Sequence, residues 1–435
     1  FIDASQYYKA GKNMNELTEE DIDRIVNAYK ERKEIDKFCH IASLDEVIGK
    51  NKYNCNIPRY VDSSEAPELY DIYATMFGGI PDSEIDRLKE YWEALPSLRA
   101  ELFQPAEDKP YSANTTDDVA GVIAHDRDAE KLRKQFERAF EGFGDELHRR
   151  LITNVANVKE LQERYEIADD IFERNKGIPL VDRYAAYQAL SNEWQTIAND
   201  IETLQTEGMD AARKVETAYK LVKKGDEEIE VADGLKGRII PFAMVQETLF
   251  QAELQAISEK EARNEEIDAE VDELRDGFTE EEALEYLDGD DDPKLDKAKI
   301  KKDAKSNEIE TETKAKLVRF VKLWEEQTKV KKEIKEAKAD LIDKTKESIE
   351  RLTDEEVELF LHKKWIDPVV AGIDRTLTEV LRTIETKVTA LAKKYAVSYS
   401  ELGKQLGEAR QQMADLVADL TGDAFALKGL QELNK

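Results

Sequence analysis

The chain has 435 residues, with 96 Asp and Glu against 65 Lys and Arg, and carries a formal net charge of -31. A chain of this length buries a core without disulfide or metal support, and so acidic a surface repels phosphate, which excludes wrapping nucleic acid around the molecule as a whole. Two cysteines, Cys39 and Cys55, and four scattered histidines supply neither a disulfide framework nor zinc-ligand spacing; without a basic leader or an apolar run of about 18 residues, a cytoplasmic protein with no membrane span is expected.

The opening "FIDAS" alternates as a strand does. A lone strand is not stable, so the sheet it belongs to is expected upstream or in another molecule, and the chain reads as a fragment. Residues 15–30 place Leu17, Ile22, Ile25, Val26 and Tyr29 at helical spacing, with Thr18 as N-cap and Asp21 as the N3 acid. In "NKYNCNIPRYVDSSE", Pro58 removes a ladder donor and turns Ile57 away from helix, which predicts extended chain lying along a surface. "FGGIPDSE" starts a helix over 82–102 capped by Asp82 or Ser83. Residues 126–230 read as amphipathic helices punctuated by glycines, without useful period-2 runs.

From 241 the pattern changes to long charged helices. Residues 259–292 hold 17 acidic and 3 basic residues, whereas 293–346 hold 17 basic and 11 acidic. Opposite charge on neighbouring arms predicts an antiparallel hairpin over 241–352, its seams formed by Phe250, Leu254, Ile257, Ile267, Val271 and Leu274 on one arm and Leu317, Val321, Trp324, Val330, Ile334, Ala337 and Leu341 on the other. The tip is expected between Asp288 and Pro293. Its Asp288, Asp290 and Asp292 imitate a calcium loop, but Pro293 replaces the required Gly and Lys299 the terminal Glu, so a solvated tip is the better reading. After "WIDP", Ile373, Leu377, Val380, Ile384, Val388, Leu391 and Tyr395 recur at steps of three and four, a near-heptad seam whose partner helix lies in this chain or in another.

Active-site patterns are absent. There is no phosphate loop, no Gly-x-Ser-x-Gly and no His-Glu-x-x-His, and His40, His125, His148 and His362 stand apart from any nucleophile. These residues alone support a helical interaction protein.

The stretch from "FIDASQYYKAGKN" through "HIASLDEVIGK" to "YNCNIPRYVD" resembles the segment that closes the methyltransferase domain in M subunits of type I restriction-modification enzymes; Cys55 stands where that family usually has Leu. "GGIPDSEIDRLKEYWEALPSLRAELF", "IPLVDRYAAYQALSNEWQTIANDIETL" and "GRIIPFAMVQETLF" are similar to its longer-tailed members. The resemblance implies a parent that moves a methyl group from S-adenosylmethionine to the N6 of adenine in DNA, at sites chosen by a specificity subunit. Such chemistry needs a Phe-x-Gly-x-Gly cofactor loop and an Asn-Pro-Pro-Phe or Asn-Pro-Pro-Tyr motif to hold the flipped adenine. Neither occurs here, so no catalytic, cofactor-binding or metal residue is carried over, and the chain alone is expected to be inactive.

The expected fold is mostly α. Residues 1–8 are read as the last strand of a missing Rossmann-like methyltransferase core, 9–66 as a helix plus extended strap, 67–240 as a helical domain, 241–352 as the charged hairpin, and 353–435 as docking helices ending in a coiled-coil-like element. In the strap, the resemblance implies Asn54 and Asn56 making backbone hydrogen bonds, Tyr60 as a buried anchor and Arg59 pairing with a core or DNA group. The 373–395 seam is the expected dock for the specificity subunit. A second M subunit and the restriction subunit complete the implied assembly, and DNA is met only through it. A free-standing coiled-coil adaptor is the alternative; sequence upstream of Phe1 would separate the two.

Overall fold

The computed structural model describes residues 1–12, 14–64, 70–224, 227–289, 294–306, 308–418, 425 and 429. The chain is mostly helical. Its longer helices are α1 (Glu19–Glu31), α2 (Arg127–Phe140), α3 (Glu160–Arg174), α4 (Arg183–Glu207), α5 (Gln251–Asp276), α6 (Thr311–Glu350), α7 (Asp354–Trp365), α8 (Asp367–Lys394) and α9 (Tyr399–Ala418). Two compact units result, one of residues 1–150, 158–198 and 365–435, the other of 151–157 and 199–364. This division does not follow the sequence-local boundaries at 240 and 352, because the apolar stripe of α8 returns to pack on the helices Val119–His125 and Phe143–Leu147.

In the first unit, α1 begins where expected, with the Thr18 hydroxyl accepting from Asp21 N and the Asp21 carboxylate accepting from Thr18 N. No strand forms at the start of the chain: Ile2 makes only an isolated bridge to Cys39. The helix expected over 82–102 is broken into Asp82–Ile85, a 3-10 turn Asp86–Leu88, Lys89–Ala94 and Pro96–Leu102. Pro96 cannot donate to the preceding turn and pushes Leu95 out of the helical region, to φ -129 and ψ 63. Neither Asp82 nor Ser83 caps it; Pro81 occupies the cap position, and the Asp82 carboxylate accepts from Ser112 Oγ at 2.6 Å. A small antiparallel sheet of Ile80–Pro81, Tyr111–Asn114 and Phe103–Pro105 lies beside these pieces, with Tyr111–Asn114 central. Ile85, Leu95, Leu98 and Leu102 are all fully buried, as are Ile384 and Val388 of α8.

The second unit holds the two charged arms and a long ribbon that the sequence reading missed. β1 (Val215–Lys224) pairs antiparallel with β2 (Glu227–Gly237) inside the stretch expected to be all helical. Its signal was present: Val215, Thr217, Tyr219 and Leu221 alternate, as do Ile229 and Val231 after a Gly-Asp pair, but charged residues between them imitate a helical face. The arms are unequal. After a short helix, Phe242–Leu249, the chain bends at Phe250 (φ -125, ψ 36), and both this short helix and α5 pack along α6. Toward the tip lie the helices Glu280–Tyr286 and Lys297–Asp303, joined through the strand pair Leu287–Asp288 and Lys294–Leu295; Asp290, Asp292 and Pro293 of the expected tip lie outside the described residues. Tyr286, Ile300, Leu317, Phe320 and Trp324 form a buried cluster there. Beside it, Glu282 accepts from Thr313 Oγ1 and Lys316 Nζ, both at 2.8 Å, and from Thr279 N. Burial acts to raise its pKa, but these donors win and hold it at about 2.

Candidate functional site

The N-terminal segment folds by turning back on its own beginning. α1 ends at Arg32 in the left-handed region (φ 47), and a tight turn pairs Ile35 with Cys39. The chain then runs along the first residues: Asp3 N donates to Phe38 O at 2.8 Å, and His40 N to Phe1 O at 2.9 Å. Ala28, Phe38 and Cys39 are buried here against Ile2, Tyr7 and Ile25, with the Phe38 ring edge-on to Tyr7. His40 sits between two carboxylates, Nε2 at 2.9 Å from Glu46 and Nδ1 at 3.1 Å from Glu34. The hydrogen bond with Glu46, then that with Glu34, raises the imidazole pKa above its ordinary value.

The strap closes over this turn. Asn54 Oδ1 accepts from Asn56 N at 3.0 Å, the Tyr60 hydroxyl donates to Asn54 O at 2.8 Å, and the Tyr60 ring stacks on Phe1 with centroids 3.6 Å apart. Ile57–Arg59 is a 3-10 turn, not extended chain, because Pro58 at its second position has the φ that such a turn requires. Tyr60 is half-buried, so the expected anchor is only partly sunk. The buried residue is its neighbour Val61, and beyond it Ser63 Oγ donates to Asp3 Oδ2 at 2.6 Å. That bond leads in lowering the Asp3 pKa. Asn56 and Arg59 are exposed. Met14, Tyr29, Leu44 and Tyr53 are each more than 70% exposed, an unusual display of large apolar side chains for one short segment.

The heptad seam of α8 faces inward. Ile373, Leu377, Ile384, Val388, Leu391 and Tyr395 are buried within the first unit and Val380 is half-buried. At its end Lys394 Nζ pairs with Glu84 at 2.8 Å, and the Tyr395 hydroxyl bonds to the same carboxylate while accepting from Asp71 N at 3.1 Å. Heptads name a surface and not its owner, and here the partner residues belong to this chain. The sequence reading placed α9 among the docking helices of 353–435 without marking its stripe. Tyr399, Leu402, Leu406, Met413 and Leu416 continue the three-and-four spacing, with Ala409 completing it, and every one of the five large side chains is more than half exposed. Gly403 and Gly407 interrupt its apolar character, which is why the stripe was passed over.

In the second unit α5 and α6 pair antiparallel through a ladder of opposite charges. Glu253 meets Lys344, Glu261 meets Lys338, Lys260 meets Glu333, and Arg263 is shared by Glu326 and Glu270. Ile257, Ile267, Leu317 and Leu341 are buried beneath them. No group of His, Cys, Asp or Glu among the described residues is arranged to hold a metal ion, and no helix of the described residues is long and apolar enough to cross a membrane.

Comparison with known proteins finds a family match that covers the strap segment. A family model described as N-6 DNA Methylase matches residues 1–68. The type I restriction enzyme MjaVIII methylase subunit of Methanocaldococcus jannaschii is 40% identical over 75 residues, 17% of this chain and 13% of the relative. The MjaVII methylase subunit of the same organism is 37% identical over 75 residues, with the same coverage. The matched stretch thus spans a small part of either relative. No solved structure matches. The family match thus relates residues 1–68 to N-6 DNA methylases, and both relatives, each similar over 75 residues, are methylase subunits of type I restriction enzymes.

Proposed function

We propose that this chain is the C-terminal assembly part of a type I M subunit, joining an adenine-N6 methyltransferase core to the specificity subunit. The observation that carries it is the methylase match over residues 1–68, which falls on a segment that leaves Met14, Leu44 and Tyr53 uncovered. Apolar side chains displayed in this way suit packing against a neighbouring core. In the parent, S-adenosylmethionine would supply the methyl group and DNA would be engaged through the complex. The residues of this segment do not fit that cofactor. Its glycines, Gly11 and Gly49, stand singly, and a Cβ on Gly11 would meet Met14 O at 2.2 Å, so this glycine serves a tight turn. No methyl-transfer step is therefore assigned to these residues, and calorimetric titration of the chain with S-adenosylmethionine is expected to give no binding.

For the specificity subunit, the surface that best suits a helical partner is α9. It is twenty residues long with two internal glycines, its side chains are nearly all exposed, and such a helix draws little stability from propensity alone. Within its own unit α9 meets the short helix Ile72–Phe77, and a partner helix over Leu402, Leu406 and Met413 would cover the stripe that contact leaves exposed. The test is co-purification of this chain with the specificity subunit, using Leu402→Asp together with Leu406→Asp. Capture is expected to be lost while the melting transition of the chain alone stays where it was; undiminished capture would refute the assignment of α9. Nothing in the geometry favours a free-standing adaptor over this reading.

A further inference from the structure

We infer that the outer face of α2 is a contact site for the phosphate backbone of duplex nucleic acid. Arg127, Lys131, Lys134 and Arg138 follow one another at steps of four, three and four, which at 3.6 residues per turn places all four within an arc of about 60°. They form a straight row about 16 Å long at 1.5 Å rise per residue. The opposite face, Ala129, Leu132 and Phe136, is buried, so the orientation of the row is fixed by the core. Asp126 pins the start of the helix by accepting from Ala129 N at 2.7 Å.

The four side chains are exposed and line one open groove of about 570 Å³ with Glu130 and Gln135. Lys134 pairs with Glu130 at 2.5 Å, and Arg127 meets Asp128 only at 3.9 Å. Lys131 and Arg138 make no ion pair among the described residues. Gln135 is turned aside, its Nε2 donating to Gly177 O at 3.0 Å. In a chain of net charge -31, four aligned cations facing solvent, two of them each paired with one carboxylate, are a local reversal of the molecule's field.

Four kinds of polyanionic partner compete for such a row, and the absence of apolar groups along it separates them. An acidic helix would be held by exposed ion pairs alone, each worth about 0.2–1 kcal/mol. Where this chain does pair charged helices, α5 with α6, it sets buried Ile257, Ile267 and Leu317 beneath the ladder, and the α2 row has no such seam. An anionic membrane would need apolar side chains to enter it, and single-stranded nucleic acid would need aromatic rings for stacking; the row has neither. A duplex backbone requires only point charges at intervals, because its affinity comes from counterion release. This inference rests on the charge geometry of α2, outside the matched stretch, and stands apart from the assembly reading.

The test is fluorescence anisotropy of a 20-base-pair duplex of arbitrary sequence with the full chain, titrated at 50 mM and 200 mM salt. Four phosphate contacts predict a slope of log affinity against log salt of about -3.6, an affinity loss of roughly 100-fold between the two salts. The R127Q/K131Q/K134Q/R138Q variant, with unchanged helix dichroism, is expected to lose the binding seen at 50 mM salt, whereas R127K/R138K retains it. Absence of binding by the parent chain at 50 mM salt would overturn the inference, as would equal binding by the neutralised variant or displacement of the duplex by polyglutamate at equal charge. Each of these failures leaves the co-purification test of α9 untouched.

Discussion

Replacing Ile384 by Ala tests whether the seam of α8 belongs to this chain's own core. Ile384 is fully buried, one turn from Val388, which is also fully buried. Removing its outer methyl groups from such a site costs the transfer energy plus a residual cavity, about 2–5 kcal/mol for truncation to Ala. At roughly 2–4 °C per kcal/mol for a unit of this size, the melting transition should fall by about 5–15 °C. Ile384→Asp is the harsher form, since it buries a carboxylate with no cation to meet it, and should abolish the cooperative transition of the first unit. Thr383→Ala, one position away on the exposed face, is the control and should move the transition by no more than about 0.5 kcal/mol. Differential scanning calorimetry of the chain without any partner decides the matter. If Ile384→Asp melts where the parent does and loses only capture by the specificity subunit, the seam is an intermolecular surface and the packing argument fails.

The second unit should respond to acid through Glu282. Its folded pKa of about 2 lies below the ordinary 4.5, so its contribution is fully present above pH 4.5 and is lost as pH falls toward 2; Glu282→Gln should flatten that part of a stability-against-pH curve measured by chemical denaturation. His40 has the opposite sign. Its raised pKa gives stability that is complete below about pH 6.5 and lost as pH rises through the folded value, so NMR titration should find His40 protonating at higher pH than in Glu46→Gln. Between α5 and α6, Arg263→Gln removes exposed pairs and should cost no more than about 1 kcal/mol, whereas Phe320→Ala, fully buried in the tip cluster, should cost about 3–5 kcal/mol; urea denaturation ranks the two, and a larger loss from Arg263→Gln would invert the balance argued here.

What could be read in the sequence was whatever depended on neighbours close in the chain. The Thr18 and Asp21 cap spans three residues, and the opposed charges of α5 and α6 announce their pairing because both arms are long enough to average out local noise; the break at Leu95 inside the helix expected over 82–102 was missed although Pro96 lies next to it. The ribbon of β1 and β2 was hidden for a different reason: its strands carry Lys and Glu at positions where period 2 and period 3.6 both accept a polar residue, so only the apolar alternation discriminates, and it is short. Ownership of a surface was less legible still. The α8 seam and the α9 stripe have similar spacing, yet one packs inward against residues 119–147 and the other faces solvent, a difference set by chain segments more than 200 residues away. The strap shows the same limit at smaller scale. Its Asn54, Asn56 and Tyr60 bond mainly to one another and to Phe1, while Val61 and Ser63, to which the sequence reading gave no role, make the buried contacts. A motif of exposed Asn56, Pro58 and Arg59 held by its own internal hydrogen bonds is a shape offered outward, and the uncovered Leu44 and Tyr53 beside it extend that surface with the apolar area that a docked neighbour would need.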